Sequence, residues 1–225
     1  MSNLAIIPAR GGSKRIPRKN IRPFLGKPIV AYPIQAAIQS GLFDEVMVST
    51  DDLEIAEVAK SFGAKVPFLR SKNTSDDYSP LSDVIQEVAN QYLSKGRQFD
   101  YVCTILPTAA LLKKDFLIKS FEIIKNCSYD VVMPVVSFSY PIQRALVERS
   151  GMLEYREPMF QVARSQDLER CFYDAGMFYW RKFGNWSSNN RYGYEISEIE
   201  SQDIDNETDW MLAEIKYSII NRDCE

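Results

Sequence analysis

No histidine occurs anywhere in the 225 residues of this chain. That absence excludes Ser-His-Asp and Cys-His catalysis, imidazole acid–base chemistry and histidine-ligated zinc together. Any chemistry must rest on carboxylates, cations, hydroxyls and a metal. Cysteine is scarce as well: Cys103, Cys127, Cys171 and Cys224 show neither CxxC spacing nor the density of a disulfide scaffold, which fits reduced thiols in a cytoplasmic protein. No apolar run approaches the ~18 residues of a membrane span, and no basic-then-apolar signal segment opens the sequence, so no membrane partner is expected. Neither sign of charge dominates. With 27 Lys and Arg against 30 Asp and Glu, the net charge is −3, and nothing global calls for nucleic acid.

What remains is an ordinary globular composition, 45% hydrophobic and 25% charged, of a length that suits one domain over residues 1–225. Its basic residues are concentrated locally. The stretch Ile6 to Asn20, IIPARGGSKRIPRKN, begins as a short apolar strand, Leu4 to Ile7, and turns at once into a cationic loop. Gly11 and Gly12 are expected to take positive φ there and let N–H groups from Gly11 to Lys14 converge on phosphate oxygens. Arg10, Lys14, Arg15, Arg18 and Lys19 surround them. A basic run can be a solvated surface loop, but this one leaves the carboxyl end of the first strand, where open α/β sheets bind ligands. The spelling is neither GxxxxGK[ST] nor GxGxxG, and Pro17 and Pro23 hold the segment extended rather than helical.

Downstream, apolar spacing predicts a helix within Pro28–Leu42, started or kinked by Pro33, a strand over Glu45–Ser49 and an aspartate-capped helix over Asp51–Gly63. A strand at Lys65–Leu69, a surface loop at Arg70–Ser79, a helix at Pro80–Leu93 and a strand at Tyr101–Leu106 follow. Helix Lys113–Lys125 and strand Asp130–Val136 complete a β-α alternation, so the expected class is α/β: a Rossmann-like, mainly parallel sheet flanked by helices. Residues 137–175 break the rhythm and are expected to form a small β-rich insertion, a lid or a dimerisation segment. Strands at Met177–Arg181 and Tyr194–Ile199 and a helix at Thr208–Ile220 end the chain.

A second polar group lies in QDIDNETD. Asp203 and Asp205 are two apart, so an extended segment points both carboxylates to one side, an arrangement that suits magnesium. The same acids precede or open a helix, where capping explains them equally well. Asp51, in VSTDD, is divided in the same way between site and cap. Arg164, Gln166 and Asp167 in ARSQD, and Tyr173 and Asp174 in YDAG, could form a substrate-facing group or a satisfied turn network.

Taken together, IPARGGSKRIPRKN, GKPIVAY, VSTDD, RSQDL, DAGMFYW and QDIDNETDW resemble the CMP-nonulosonic acid (sialic acid) synthetase family over nearly the whole chain. Within it, RSQDLERCFYDAGMFYW is similar to the pseudaminic acid branch, because the sialic acid enzymes usually read Asn-Gly-Ala where this chain has Asp-Ala-Gly. The resemblance implies CMP transfer from CTP to a nonulosonic acid with Mg2+. Arg10, Lys14 and Lys19 would bind the phosphates, and Ala9, Gly11, Gly12, Ser13 and Asn20 would line the nucleotide site. Asp203 and Asp205 would hold the metal, with Asp205 counted as catalytic beside the three cations. Asp51, Arg164, Gln166, Asp167, Tyr173 and Asp174 would face the sugar acid, and a homodimer is expected. Leu106, where sialic acid enzymes tend to carry glutamine in LLQPTSPLR, leaves legionaminic, N-acetylneuraminic and 3-deoxy-octulosonic acids as alternative acceptors. With no histidine, a carboxylate or metal-bound hydroxide is the candidate general base. A nucleotide-sugar-binding protein without turnover would keep the cationic loop and lose the acid pair, and a nicotinamide oxidoreductase would need the absent glycine fingerprint.

Overall fold

Leu4, Ala5, Ile6 and Ile7 are fully buried because strand β1 (Asn3–Pro8) lies inside a sheet covered on both faces. The computed structural model describes residues 1–76 and 79–222; Asp77 and Tyr78 of the expected surface loop, and Cys224, lie outside the described residues. After β1 come a minimal hairpin, β2 (Pro23–Phe24) and β3 (Lys27–Pro28), then α1 (Ala31–Ser40), β4 (Glu45–Ser49), α2 (Leu53–Ser61) and α3 (Leu81–Ser94). The chain continues through β5 (Tyr101–Ile105), α4 (Lys114–Asn126), β6 (Val131–Ser137), the hairpin β7 (Leu146–Arg149) and β8 (Met152–Tyr155), β9 (Phe172–Asp174), β10 (Phe178–Lys182), β11 (Arg191–Glu195) and α5 (Glu207–Ile220).

The main sheet has the order β11-β6-β10-β5-β1-β4, with β9 also paired to β6. Strands β4, β1, β5, β6 and β11 run one way, and β10 and β9 run the other. Helices α1, α2 and α4 cover one face through Ile34, Ile55, Leu117 and Phe121. Helix α3 covers the other, setting Ile85, Val88 and Tyr92 against Leu4, Ile6, Met47 and Val102. A third cluster ties α5 to the segment after β1: Ile16, Phe24 and Ile29 pack with Ile204 and Trp210. Because apolar contact is what fixes elements relative to one another, this cluster holds the cationic loop against residues 203–205.

Three expectations need correction. Lys65–Leu69 is not a strand: Lys65 makes one parallel bridge to Met47, and Pro67, which has no N–H to give, ends the ladder. The last strand lies at Arg191–Glu195 rather than Tyr194–Ile199, because a 3-10 turn at Glu198–Glu200 takes up its expected end. The excursion at 137–175 does carry strand, in the hairpin β7–β8 and in β9, with 3-10 turns between and no α-helix. Pro33 neither kinks nor starts α1. It is the third helical residue, inside the first turn where its missing N–H has no intrahelical acceptor.

Strands β9 and β10 are one reversed strand interrupted by a bulge. Val132 and Val135 of β6 are three residues apart, whereas their partners Trp180 and Asp174 are six apart. The three extra residues contain Gly176 at φ 63°, and bulges of this kind re-aim a strand beside a functional site.

Candidate active site

The cationic loop leaves β1 at the carboxyl end of the parallel strands and is tied down at each step. Ala9 N–H donates to Ser49 O at 2.9 Å, Gly11 N–H to Asp51 Oδ1 at 3.0 Å, and Asn20 Nδ2 to Arg10 O at 2.9 Å. Asp52 caps α2 by accepting from Ile55 N–H at 3.0 Å and also receives the Arg18 guanidinium. That guanidinium, first by its hydrogen bond, holds the Asp52 carboxyl below the usual aspartate range. The expected positive φ at Gly11 and Gly12 is not found; the left-handed residue of the loop is Arg18, at φ 55°. Gly11 is required for another reason, because a Cβ there would lie 2.7 Å from Asp52 Oδ2.

The loop walls a cleft of about 580 Å³, lined on its side by Arg10, Ser13, Lys14, Arg15, Lys19 and Asn20. Asp203 also lines it. Lys19 is half-buried and donates to Ile204 O at 2.6 Å. Desolvation pushes its ammonium pKa down, opposed by Asp205 and Asp203. A partly dehydrated cation held this way meets an anionic ligand with little water left to strip.

Asp203 and Asp205 do not cap α5. Asn206 is the N-cap, accepting from Asp209 N–H at 3.1 Å, and Asp209 Oδ2 closes a capping box on the N–H groups of Asp205 and Asn206, at 2.9 and 3.0 Å. Asp203 is left to line the cleft, and Asp205, outside that lining, is held beside it by Arg15. Asp203 has its pKa raised by the protein packed around its carboxyl and by the charge of Asp205. Gly176 adjoins it closely, since a Cβ there would lie 3.3 Å from Asp203 Cβ. Two neighbouring carboxylates beside a cationic cleft suit a hard divalent ion. Among the described residues no group of three or more His, Cys, Asp or Glu could enclose a metal, so such an ion would draw its other ligands from phosphates and water, as magnesium does.

Tyr173 and Asp174 line a second cleft of about 340 Å³ that shares Asp203 with the first. Asp174 accepts from Gly176 N–H and Tyr179 OH, each at 2.8 Å. Asp51 holds the loop through Gly11, and Asp52, not Asp51, is the helix cap. Arg164, Gln166 and Asp167 lie on an exposed 3-10 turn, where Arg164 pairs with Asp167 at 2.8 Å; none of the three lines either cleft. Sequence reasoning missed Arg70. It lines the first cleft, is 8% exposed, and is locked by donating to Ser49 O at 2.7 Å and Ser49 Oγ at 3.2 Å. Its only sequence signal is a lone arginine closing the apolar run VPFLR. Leu106 also lines this cleft, placing an apolar side chain where a glutamine amide would make hydrogen bonds.

A cytidylyltransferase family profile matches residues 4–186. The chain is 47% identical over 188 residues to a pseudaminic acid cytidylyltransferase of Campylobacter jejuni subsp. jejuni serotype O:2, covering 83% of this chain and 81% of that one. It is 33% identical over 222 residues to a CMP-N,N'-diacetyllegionaminic acid synthase of Legionella pneumophila subsp. pneumophila, covering 95% of each. A solved CMP:2-keto-3-deoxy-manno-octonic acid synthetase complexed with CTP shares the fold, with a TM-score of 0.70 at 18% identity over 99% of this chain and all of that one.

Proposed function

The chain belongs to the cytidylyltransferase family and transfers CMP from CTP to a nonulosonic acid, and we propose that its acceptor is pseudaminic acid. The observation that carries the site assignment is the meeting of the cationic loop with the acid pair, through Lys19 on Ile204 O and Arg15 on Asp205. The anomeric hydroxyl of the sugar acid attacks the α-phosphate of CTP, and its proton is released to water. An oxygen–phosphorus bond forms, the bond to the bridging oxygen breaks, and pyrophosphate leaves with that electron pair. Nothing covalent on the enzyme is needed, so positioning and charge stabilisation carry the rate. Arg10, Lys14 and Lys19 hold the phosphates by their side chains, since Gly11 N–H is committed to Asp51 and Ser13 N–H to Gly11 O. Asp203 and Asp205 would hold magnesium, which stabilises the charge that develops on the phosphate oxygens. Tyr173 and Asp174, on the cleft that shares Asp203, face the acceptor.

The direct test is pyrophosphate release from CTP and Mg2+ with pseudaminic, legionaminic, N-acetylneuraminic and 3-deoxy-octulosonic acids in parallel. Release with pseudaminic acid at least about tenfold faster than with the others is expected, which is ~1.4 kcal/mol of discrimination. A faster rate with another acid would replace the acceptor. Silence with all four, despite CTP binding, would favour a binding protein.

We also assign the protein to the cytoplasm, in line with its thiols: the three described cysteines are unpaired, and no helix among the described residues is long and apolar enough to cross a membrane. The 137–175 excursion exposes Met152 (63%), Leu153 (68%) and Met159 (78%). Apolar exposure gathered in one segment supports an interface there. It fits a homodimer, in which Arg164, Gln166 and Asp167 would reach substrate across the contact. Light scattering is expected to give twice the chain mass, reduced to one chain mass by Met152→Glu with Leu153→Glu. A monomeric wild type would end the dimer assignment.

A further inference from the structure

Arg15 is a loop cation that reaches across the site to the acid pair. Its Nη2 donates to Asp205 Oδ1 at 2.8 Å, so it already sits on a carboxylate assigned to the metal. Both partners are open to water, with the side chains 69% and 47% exposed. Ion pairs at that exposure are weak, and a divalent ion competing for Asp205 can displace the guanidinium. The displaced side chain has somewhere to go, because Arg15 lines the same cleft as Arg10, Lys14 and Lys19. A triphosphate bound there presents several negative charges within reach of a long, flexible cation, and guanidinium groups pair phosphate oxygens in a bidentate manner.

Resting on the metal assignment above, we propose that Arg15 is an exchangeable counter-ion. It occupies Asp205 until a divalent cation and CTP arrive, and then passes from the carboxylate to the phosphates. It is a positioning residue for the acid pair in one state and a phosphate ligand in the other. The exchange couples the two binding events, since the ion that frees Arg15 also strengthens the nucleotide site, and the nucleotide that engages Arg15 uncovers the metal site.

The test uses the intact protein and Mn2+ as the probe, titrated without nucleotide and followed by the paramagnetic resonance of the free ion. CTP affinity is then measured with and without Mn2+. Arg15→Gln is expected to bind Mn2+ alone about two- to fivefold more tightly, the span set by an exposed ion pair, and to lose most of the gain in CTP affinity that Mn2+ gives the wild type. Lys14→Gln removes the same charge from the same loop. Equal tightening in both variants would reduce the effect to the general field of the loop and overturn the proposal, as would unchanged Mn2+ affinity in Arg15→Gln. Mn2+ affinity that is identical in wild type and Asp205→Asn would instead remove the metal assignment itself.

Discussion

Asp205→Asn is expected to cut turnover by about three orders of magnitude while leaving the melting temperature within about 2 °C of wild type. The first figure follows from the charge stabilisation a bound metal supplies, several kcal/mol at ~1.36 kcal/mol per tenfold in rate. The second follows from the surroundings of the side chain. Its hydrogen-bond partner is Arg15, itself exposed, and exposed pairs contribute ~0–1 kcal/mol. The backbone N–H of Asp205, which closes the capping box, is untouched by the substitution. Asp209→Ala should show the reverse balance, because it removes that box and costs α5 ~1 kcal/mol. The measurements are pyrophosphate release at saturating Mg2+ and a thermal melt. Near-normal turnover in Asp205→Asn would end the metal role of the pair.

Gly11→Ala is expected to raise the CTP concentration needed for half-maximal rate about 10- to 100-fold. The new methyl would stand 2.7 Å from Asp52 Oδ2 and 3.0 Å from Asp52 Cβ. Asp52 cannot retreat cheaply, since it caps α2 and holds Arg18. The loop must yield, and overpacking of this kind costs ~1–3 kcal/mol. Its first loss is the hydrogen bond from Gly11 N–H to Asp51. Gly12→Ala meets no atom within 4 Å and should lose much less. Similar CTP dependence in the two variants, measured by initial rates, would show that contact with Asp52 does not set the loop.

The two adjacent glycines show where a sequence stops being legible. Both read as conformational freedom, but the need at Gly11 comes from a side chain 41 residues away, and no local pattern encodes that proximity. The acids of QDIDNETD were ambiguous for the opposite reason, because capping and metal binding use the same residue types at the same spacing. Backbone geometry gives the cap to Asn206 and Asp209, which leaves Asp203 lining the cleft and Asp205 paired with Arg15 beside it. The strands β1, β4 and β5 were readable because burial on both faces selects short, mostly apolar runs. Lys65–Leu69 has that composition too, and a single proline stops it from pairing. Arg70 was hidden because a buried arginine looks like any surface arginine until its partners, Ser49 O and Oγ, are known.

The reversal of β9 and β10 has a consequence for how such a protein can change over time. The chain leaves β6 at Ser137 and returns into β9 at Phe172 on the same edge, with Phe138 N–H donating to Cys171 O at 3.0 Å as a clasp across the base. Everything between the clasp residues is therefore a cassette with a single doorway. It can lengthen, shorten or be exchanged between lineages without rethreading the sheet, whereas an insertion in a parallel crossover would have to carry its helix along. Diversification of the cassette can proceed at that doorway while the main sheet and the cationic loop stay as they are.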